Sequence, residues 1–411
     1  MNKYIFILGL AVIALISGCT SDDLTMDLSL GEERVSIVEA SQDSDVPISL
    51  GVGSSRGMTR AVLNPTDESG IFDTEDGKFL GVFCLATGTQ SNVDNIPSEI
   101  STNKWVKDDA TGLLVRLSNV PAKIEDGDVK FVDPANTSNP KHYYYPMINW
   151  MTYNFYAYYP RENDSKIKFT TGGSGALVRY ITIDGSQDVI WGKTHPEKAP
   201  KVSSANDADP FCAKYFQLKK DSIANSPDPT PGNIAALYPK FEFKHLLSQF
   251  KFSIEPKDAA AWAAISVGGG MSITNMYVSN AISNLQLIVA NKANPETEGT
   301  LSKKDDTTGN LYIKANGKDY NLFSSTTPLE SQVSSIAVDE SQVSVSGYIM
   351  LPPSGVGTED YELCLEYSIG GTPQAKPMKV KMIPPAVPGS DPVRKEFEAG
   401  KVYNIVVKVK L

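Results

Sequence analysis

Apolar residues recur with period two along most of this chain, which predicts short β-strands. The strand-like segments are rich in β-branched and aromatic residues and are bounded by the turn formers Gly, Pro, Asn and Asp. They include KFLGVFCLA, GLLVRLSNV, YNFYAYY, ALVRYITI, FEFKHLLSQFKFSI, NLQLIVA, VSVSGYIMLP, YELCLEYSI and MKVKMI. The Ala-rich segment PKDAAAWAAI predicts a short helix after Pro256. The pattern therefore predicts an all-β fold with few short helices, arranged as sandwiches or barrels.

A break in composition divides this β pattern. Residues 219–233 read KKDSIANSPDPTPGN, where three prolines and a glycine disfavour regular structure. A chain of 411 residues is long enough for two or three domains. We therefore predict an N-terminal β-sandwich domain over residues 61–235 and a C-terminal one over residues 236–411.

The first 18 residues have the features of a bacterial export signal. Lys3 precedes an apolar run, residues 4–16, and the small pair Ser-Gly leads directly to Cys19. A run of roughly a dozen residues matches a signal-peptide core and is shorter than the ~20 residues that a membrane-spanning helix needs. We expect residues 1–18 to be a lipoprotein signal peptide and Cys19 to be the lipidation site.

Lipidation would anchor the precursor. Each buried methylene of an acyl chain contributes about 0.8 kcal/mol, so a multiply acylated Cys19 holds a chain at a membrane without a transmembrane helix. Asp22 and Asp23 follow Cys19 and resemble the acidic export tag of some Gram-negative lipoproteins. We therefore expect the precursor to be lipid-anchored at the outer membrane.

Residues 19–60 are mostly polar and form the predicted propeptide. Within them the segment DVPISLGVG alternates as a half-buried strand does. Its apolar positions, which we call the propeptide strand residues, are Val46, Ile48, Leu50 and Val52. The segment GMTRAVLN then places Arg60 in a polar, Gly/Ser-rich stretch just before the first strand of the β body.

The C-terminal segment KVYNIVVKVKL also alternates, and the Pro-rich segment IPPAVPGSDP precedes it. The residues predicted to share its apolar face, which we call the donor residues, are Ile405, Val407, Val409 and Leu411. The opposite face carries Asn404, Lys408 and Lys410, with Val406 as an exception. The segment therefore predicts an amphipathic strand.

Charge and cysteine content exclude several classes of function. The net charge of −10 argues against a nucleic-acid partner, which binds a basic patch. Apart from Cys19, the chain has Cys84, Cys212 and Cys364, which cannot form a complete disulfide framework and include no CxxC pair for zinc. Cys84 and Cys364 lie in apolar segments and are predicted core residues.

Catalytic motifs are not found. His142, His195 and His245 are far apart in sequence and lack metal-ligand spacing, and His245 follows a strand-like segment, so we interpret it as a core or sheet residue. The glycine-rich segments lack the Lys-Ser/Thr of a phosphate loop. We expect no enzyme activity, no metal and no cofactor.

Aromatic residues concentrate in HYYYPMINWMTYNFYAYYP, residues 142–160. Such a cluster usually forms core and cross-strand pairs, and the alternative is a surface on which sugar rings stack.

Several segments, in this order along the chain, resemble the fimbrillin family, the type V pilins of Gram-negative anaerobes. They are ISGC, MTRAV, GVFCLA, NFYAYYP, QDVIWG, FEFKHLLSQFKFSI, GYIMLPP and FEAGKVYNIVVKV. Each is a weak signal alone, and their order over nearly the whole chain makes the resemblance specific. The resemblance implies tandem transthyretin-like β-sandwiches, export as an acylated precursor and cleavage by an arginine-specific protease.

The family's pattern implies cleavage between Arg60 and Ala61, with Arg56 and Arg34 as alternative sites. The cut would free the propeptide strand, and a strand from a neighbouring subunit would take its place. The donor residues of the C-terminal strand would be the inserted ones. Because head-to-tail strand donation does not close, it builds a filament.

The sequence thus predicts a structural subunit of a cell-surface fimbrium that serves adhesion. Its expected partners are other fimbrial subunits, an arginine-specific protease and, for the precursor, the outer membrane. Stalk and tip positions both remain open. The competing prediction is an anchored surface lipoprotein that binds glycan or protein through residues 142–160.

Overall fold

The structure is a computed structural model, and the residues that it describes share an all-β architecture, as predicted. The described residues are 47–52, 79–88, 91–94, 106–108, 114–115, 117–125, 127–133, 136–145, 153–169, 176–195, 239–291, 293–316, 318–324, 328–356, 361–387, 389 and 395–411. Strands are numbered in chain order.

The first sheet contains strands from both halves of the chain and closes on itself. Its strands follow the order β1 (Leu50–Val52), β14 (Lys240–His245), β13 (Ile190–Thr194), β10 (Tyr153–Tyr159), β2 (Leu80–Gly88), β6 (Val120–Glu125), β7 (Asp128–Asp133) and β8 (Asn136–Pro140). A further strand, β3 (Ser91–Asp94), pairs with β2. Because β1 also pairs with β7, a closed, barrel-like ring forms. It consists of β1, β14, β13, β10, β2, β6 and β7.

A second sheet packs against this ring. Its order is β11 (Ile167–Phe169), β12 (Ala176–Thr182), β17 (Asn284–Asn291) and β18 (Thr300–Lys303). A small sheet near the ring has the order β5 (Leu114–Val115), β4 (Val106–Asp108) and β9 (Tyr143–Tyr144).

Two further sheets form the C-terminal part. One has the order β20 (Lys314–Ala315), β22 (Val343–Leu351), β15 (Ser248–Pro256) and β26 (Val402–Val409). The other has the order β19 (Thr308–Tyr312), β16 (Met271–Ile282), β23 (Tyr361–Ile369) and β24 (Thr372–Pro373), with β21 (Ile336–Ala337) paired to β16 and β25 (Met378–Met382) to β23. The rings of Phe250 on β15 and Tyr361 on β23 meet edge to face, as expected for sheets packed on each other.

The predicted helix is confirmed as α1 (Ala259–Val267). Asp258 caps it, since its side chain accepts a hydrogen bond of 2.8 Å from the backbone N–H of Ala261. Glycines end it: Gly269 and Gly270 have φ values of 84° and 87°, a conformation that glycine adopts without strain. Two 3-10 turns cover Asp164–Lys166 and Pro295–Thr297.

Strand β10 is buried on both faces. All seven of its residues, the segment YNFYAYY, are buried. Tyr153, Phe155, Ala157 and Tyr159 point into the ring, whereas Tyr156 and Tyr158 join the larger core shared with the other sheets. The described part of the aromatic cluster is therefore mainly core, because it must supply apolar side chains to two layers at once.

Glu298 connects the ring to the second sheet. Its buried carboxylate accepts hydrogen bonds from Tyr156 Oη (3.1 Å) and the Asn291 backbone N–H (2.9 Å), and it pairs with Lys193 Nζ at 2.8 Å. Nearby, the indole N–H of Trp191 donates to the carbonyl oxygen of Val289 at 2.9 Å. These contacts hold β10 and β13 of the ring to β17 and to the turn that follows it.

The predicted domain boundary at residue 235 does not coincide with a sheet boundary. Strand β14 lies after it and pairs with β13 before it, and β12 pairs with β17 across it. The segment FEFKHLLSQFKFSI splits at Leu246 and Leu247 into β14 of the ring and β15 of a C-terminal sheet. The division into 61–235 and 236–411 therefore stays a prediction.

The C-terminal strand lies within the fold. β26 runs parallel to β15 over its whole length, from the pair Gln249–Val402 to the pair Pro256–Val409. Val407 and Val409 are buried in the main core, and Tyr403 stacks on Phe250 at 5.4 Å between ring centroids. β26 therefore contributes to the stability of the C-terminal part.

We predict that Val407→Ala and Val409→Ala each lower the free energy of unfolding by about 1–3 kcal/mol, because each removes buried methyl groups and leaves a cavity. Val406→Ala is the matched control, since this neighbour on the same strand is 44% exposed, and it should change stability by less than about 0.5 kcal/mol. Denaturant unfolding measures all three. Equal effects at the three positions would contradict the burial of β26.

We also predict that Glu298→Ala lowers the free energy of unfolding by about 2–4 kcal/mol, because it leaves Lys193 and buried donors without their acceptor. Glu296→Ala on the same turn is the control, since Glu296 is exposed. Thermal denaturation compares the two variants. A Glu298 variant as stable as the Glu296 variant would show that this contact does not join the sheets.

Candidate functional site

The short strand β1 completes the ring. It runs parallel to β14, where Gly51 pairs with Lys240, and antiparallel to β7, where Leu50 pairs with Val129. Pro47 adds a bridge to Tyr144. Without β1, the facing edges of β7 and β14 would each have unpaired backbone groups.

Backbone hydrogen bonds tie β1 to both neighbours. The N–H of Gly51 donates to the carbonyl oxygen of Pro239 at 2.9 Å, beside β14. The N–H of Val52 donates to the carbonyl oxygen of Gly127 at 2.9 Å, beside β7. The N–H of Ile48 donates to the carbonyl oxygen of Tyr143 at 2.7 Å.

Two aliphatic side chains of the segment enter the interior of the ring. Ile48 is 6% exposed and Leu50 is 3% exposed, and both belong to the ring's core cluster. Burial of such side chains contributes about 1.5–3 kcal/mol each. Val52 is partly buried against the same cluster. A segment of six described residues therefore holds its place through few side chains.

A groove of about 730 Å³ lies beside β1. Residues 48–52 form one wall, and parts of β6, β7 and the segment 140–142, with Lys240 of β14, form the rest. The charged or titratable side chains that line it are Lys123, Lys130, Lys141, Lys240, His142, Glu125 and Asp128. Four lysines against two carboxylates make the lining net positive even with a neutral histidine.

The acidic side chains of the groove are partly engaged with its lysines. Lys130 Nζ donates to Glu125 Oε2 at 2.8 Å, and Lys123 Nζ lies 3.9 Å from Glu125 Oε1. The hydrogen bond from Lys130, together with the charge of Lys123, lowers the pKa of Glu125 below its usual value. Glu125 is therefore ionised at neutral pH.

The structure brings part of the propeptide strand to this site. Ile48 and Leu50 point into the ring and Val52 lies at its edge, which is the alternation that the sequence indicates. Val46 lies outside the described residues, as do Cys19, Arg60 and Ala61.

The donor residues of the C-terminal strand differ from one another in environment. Val407 and Val409 are buried, and Ile405 is partly buried against the same core. Leu411 is 40% exposed, beyond the end of β26. The predicted alternation therefore holds along β26 itself, and Leu411 does not share the burial of Val407 and Val409.

His245 is a buried sheet residue, as interpreted from the sequence. It pairs with Ile190 in the ladder, and its Nδ1 lies 2.5 Å from Asp188 Oδ2. Complete burial raises the pKa of Asp188, while His245 and the backbone N–H groups of Val189 and Leu247 oppose that shift. The pair fastens the end of β14 to the start of β13.

The described residues were searched for metal-binding groups, cysteines and membrane-spanning helices. No group of three or more His, Cys, Asp or Glu side chains in this part of the chain is placed to hold a metal ion. Cys84 and Cys364 are buried, in agreement with the core prediction. In the same residues, no helix is both long and apolar enough to cross a membrane.

The sequence did not indicate the groove or its neighbours. Lys123 and Lys130 lie on the consecutive strands β6 and β7, whereas Lys240 lies much later in the chain, on β14. Only the closure of the ring brings all three beside β1. The one local signal is in β14, where Lys240, Glu242 and Lys244 alternate with buried residues and so mark an outer face. That alternation does not identify the strand beside it.

One comparison with known proteins identifies a family. A sequence model described as fimbrillin-like matches residues 59–411, and no curated protein matches the chain. A candidate cell adhesion protein from Bacteroides uniformis has a similar structure, with 14% identity, a TM-score of 0.40 and coverage of 88% of this chain and 93% of its own.

Two more solved structures resemble this chain at lower scores. For a fimbrial protein from Bacteroides ovatus, identity is 11%, the TM-score 0.30 and coverage 89% of this chain and 49% of that one. For the fimbrial anchor protein Mfa2 from Porphyromonas gingivalis, identity is 8%, the TM-score 0.26 and coverage 81% and 82%. The sequence match covers most of the chain, and on that ground the chain belongs to the fimbrillin-like family.

Proposed function

We propose that this protein is a structural subunit of a cell-surface fimbrium, made as a lipid-anchored precursor and polymerised by exchange of a β-strand. Membership of the fimbrillin-like family supports a fimbrial role and a cell-surface location. The tandem transthyretin-like sandwiches, the lipid on Cys19 and the proteolytic step are parts of the proposal.

The position of β1 is the observation that carries the proposal. β1 joins the rest of the chain through residues 53–78, and Arg60 lies in that connection. A cut between Arg60 and Ala61 would leave β1 attached to the body by non-covalent contacts alone. Ile48, Leu50 and a few backbone hydrogen bonds would then have to retain a segment that also carries the membrane anchor.

Departure of β1 would create an acceptor for another strand. The edges of β7 and β14 would expose backbone donors and acceptors, and the places of Ile48 and Leu50 would open into the ring. Such an edge with an apolar groove binds an extended strand by β-addition. In our proposal a neighbouring subunit supplies that strand.

The C-terminal strand is the proposed donor to the next subunit, and its release has a cost. Val407 and Val409 are buried in the subunit's own core, so donation requires β26 to separate from β15. The new contacts must offset this loss. The same observation favours a second candidate, a tip subunit that accepts a strand and keeps its own C-terminal strand folded.

We predict that mature protein from the cell surface begins at Ala61, because cleavage after Arg60 detaches the anchor. Mass spectrometry of the N-terminus measures this. Arg60→Ala should retain acylated Cys19 and abolish filaments, whereas Arg56→Ala, the matched control, should be processed normally. Acylated Cys19 on all surface material of the unaltered chain would refute the proposal.

Leu411 separates the stalk from the tip candidate. Because Leu411 is 40% exposed, we predict that Leu411→Asp changes the free energy of unfolding of the monomer by less than about 0.5 kcal/mol. For a donating stalk subunit the same change should reduce filament length severalfold in electron micrographs, since it would bury a charge in the neighbour. Lys410→Asp is the control on the solvent-facing side, and filaments unaffected by Leu411→Asp would favour the tip candidate.

A further inference from the structure

The charges around β1 indicate which strand its groove accepts, provided that the strand exchange proposed above takes place. Ile48 and Leu50 face the ring's interior, so Ser49 between them faces the groove. Leu50 lies opposite Val129, and the antiparallel register continued by one residue places Ser49 beside Lys130. The sign of the charge on a side chain at this position therefore affects how strongly the groove holds the strand.

The surroundings of Ser49 are basic. The continued register puts Lys130 opposite it, Lys123 on β6 pairs with Lys130, and Lys141 and His142 line the same groove. Glu125 and Asp128 are the carboxylates that line this groove, and Glu125 already accepts a hydrogen bond from Lys130. A negative side chain at this position would gain attraction, and a positive one would meet like charges.

The next outward position discriminates less. Gly51 pairs with Lys240 on one side and with Asp128 on the other. A Cβ at Gly51 would lie 3.5 Å from Cγ of Lys240, so a side chain fits there. Because its two neighbours have opposite charges, either sign meets one attraction and one repulsion. The charge of an inserted strand therefore affects its binding mainly at the position of Ser49.

The chain's own C-terminal strand offers no acidic residue for this position. If two successive donor residues occupy the places of Ile48 and Leu50, the residue between them occupies that of Ser49. That residue is Lys408 for the pair Val407 and Val409, and Lys410 for the pair Val409 and Leu411. It is the uncharged Val406 for the pair Ile405 and Val407.

The segment that contains β1 differs in charge from the C-terminal strand. Asp43 and Asp45 precede Pro47, and no Lys or Arg lies between residues 35 and 55. The strand that the groove holds in the precursor therefore belongs to an acidic segment, whereas the C-terminal strand is basic.

We propose that the strand which replaces β1 carries an acidic side chain at the position of Ser49 and comes from a subunit other than a second copy of this chain. Lys130 is the main residue that attracts this acidic side chain, and Lys123, Lys141 and His142 add to the attraction. The contact between this groove and the inserted strand accordingly joins two different kinds of subunit in the fimbrium.

The first experiment uses the full chain and needs no cleavage. Ser49→Asp, Ser49→Asn and Ser49→Lys are compared by hydrogen exchange at the amides of Ile48, Gly51 and Val52, whose bonds hold β1 in place. Protection should be about two- to fivefold higher for Asp than for Asn, and lower by a similar factor for Lys. The differences should shrink in about 1 M salt, where charges are screened within about 3 Å.

A Lys130→Gln background is the matched control for this comparison. It should remove most of the difference between Ser49→Asp and Ser49→Lys while leaving the Ser49→Asn chain folded. Equal protection in the Asp and Lys variants would overturn the charge selection, whatever happens to the chain after cleavage.

The second experiment uses the chain after cutting with an arginine-specific protease and removal of the freed segment. Fluorescent peptides compete for it: residues 45–52 with Asp, Asn or Lys at position 49, and residues 403–411. The expected order of affinity is Asp, Asn, Lys, with the 403–411 peptide below Asn. A 403–411 peptide that binds more tightly than the Asn peptide would overturn the inference alone. Failure of every peptide to bind would overturn strand exchange itself.

Discussion

A β-sheet edge leaves backbone N–H and C=O groups without partners, and seven strands of the first sheet avoid such edges by closing into a ring. The closing strand is β1, three residues long and bound on one side parallel to β14 and on the other antiparallel to β7. The integrity of the ring therefore depends on the least extensive of its pairings.

This dependence separates the two ends of the chain. The N-terminal strand is held by Ile48, Leu50 and a few hydrogen bonds, and a long connection links it to β2. The C-terminal strand β26 pairs with β15 over eight residue pairs and buries Val407 and Val409. The energetic contrast makes release of β1 much easier than release of β26, and it bears directly on whether the subunit both accepts and donates a strand.

The body between these strands is joined by polar contacts that lie across the sheets. Glu298 binds Tyr156, Lys193 and the backbone of Asn291, so the ring and the second sheet are connected through one buried carboxylate. His245 and Asp188 fix the point at which the chain passes from β14 towards β15. Because buried charges without partners are costly, these contacts hold the sheets in one arrangement.

Local patterns predicted several of the elements, but not β16, the longest of the described strands. YNFYAYY and YELCLEYSI coincide with β10 and β23, and the Ala-rich segment after Pro256 is α1. The alternation of apolar and polar residues predicts which side chains are buried. It does so for Ile48 and Leu50 and also for Val407 and Val409. The predicted boundary at residue 235 shows the limit of such reasoning, since composition marks a linker but carries no information on which strands pair across it.

The sequence by itself determined the all-β class, the positions of several strands, the buried cysteines and the family resemblance, because periodicity and composition are properties of neighbouring residues. Only the tertiary structure decided that β1 closes a ring, that β26 lies parallel to β15 and that lysines from separate strands line the same groove as Ser49. Strand pairing joins residues tens to hundreds of positions apart, and any exposed edge offers the same backbone groups. The choice of partner is therefore made by the packing of the whole fold, which no local segment encodes.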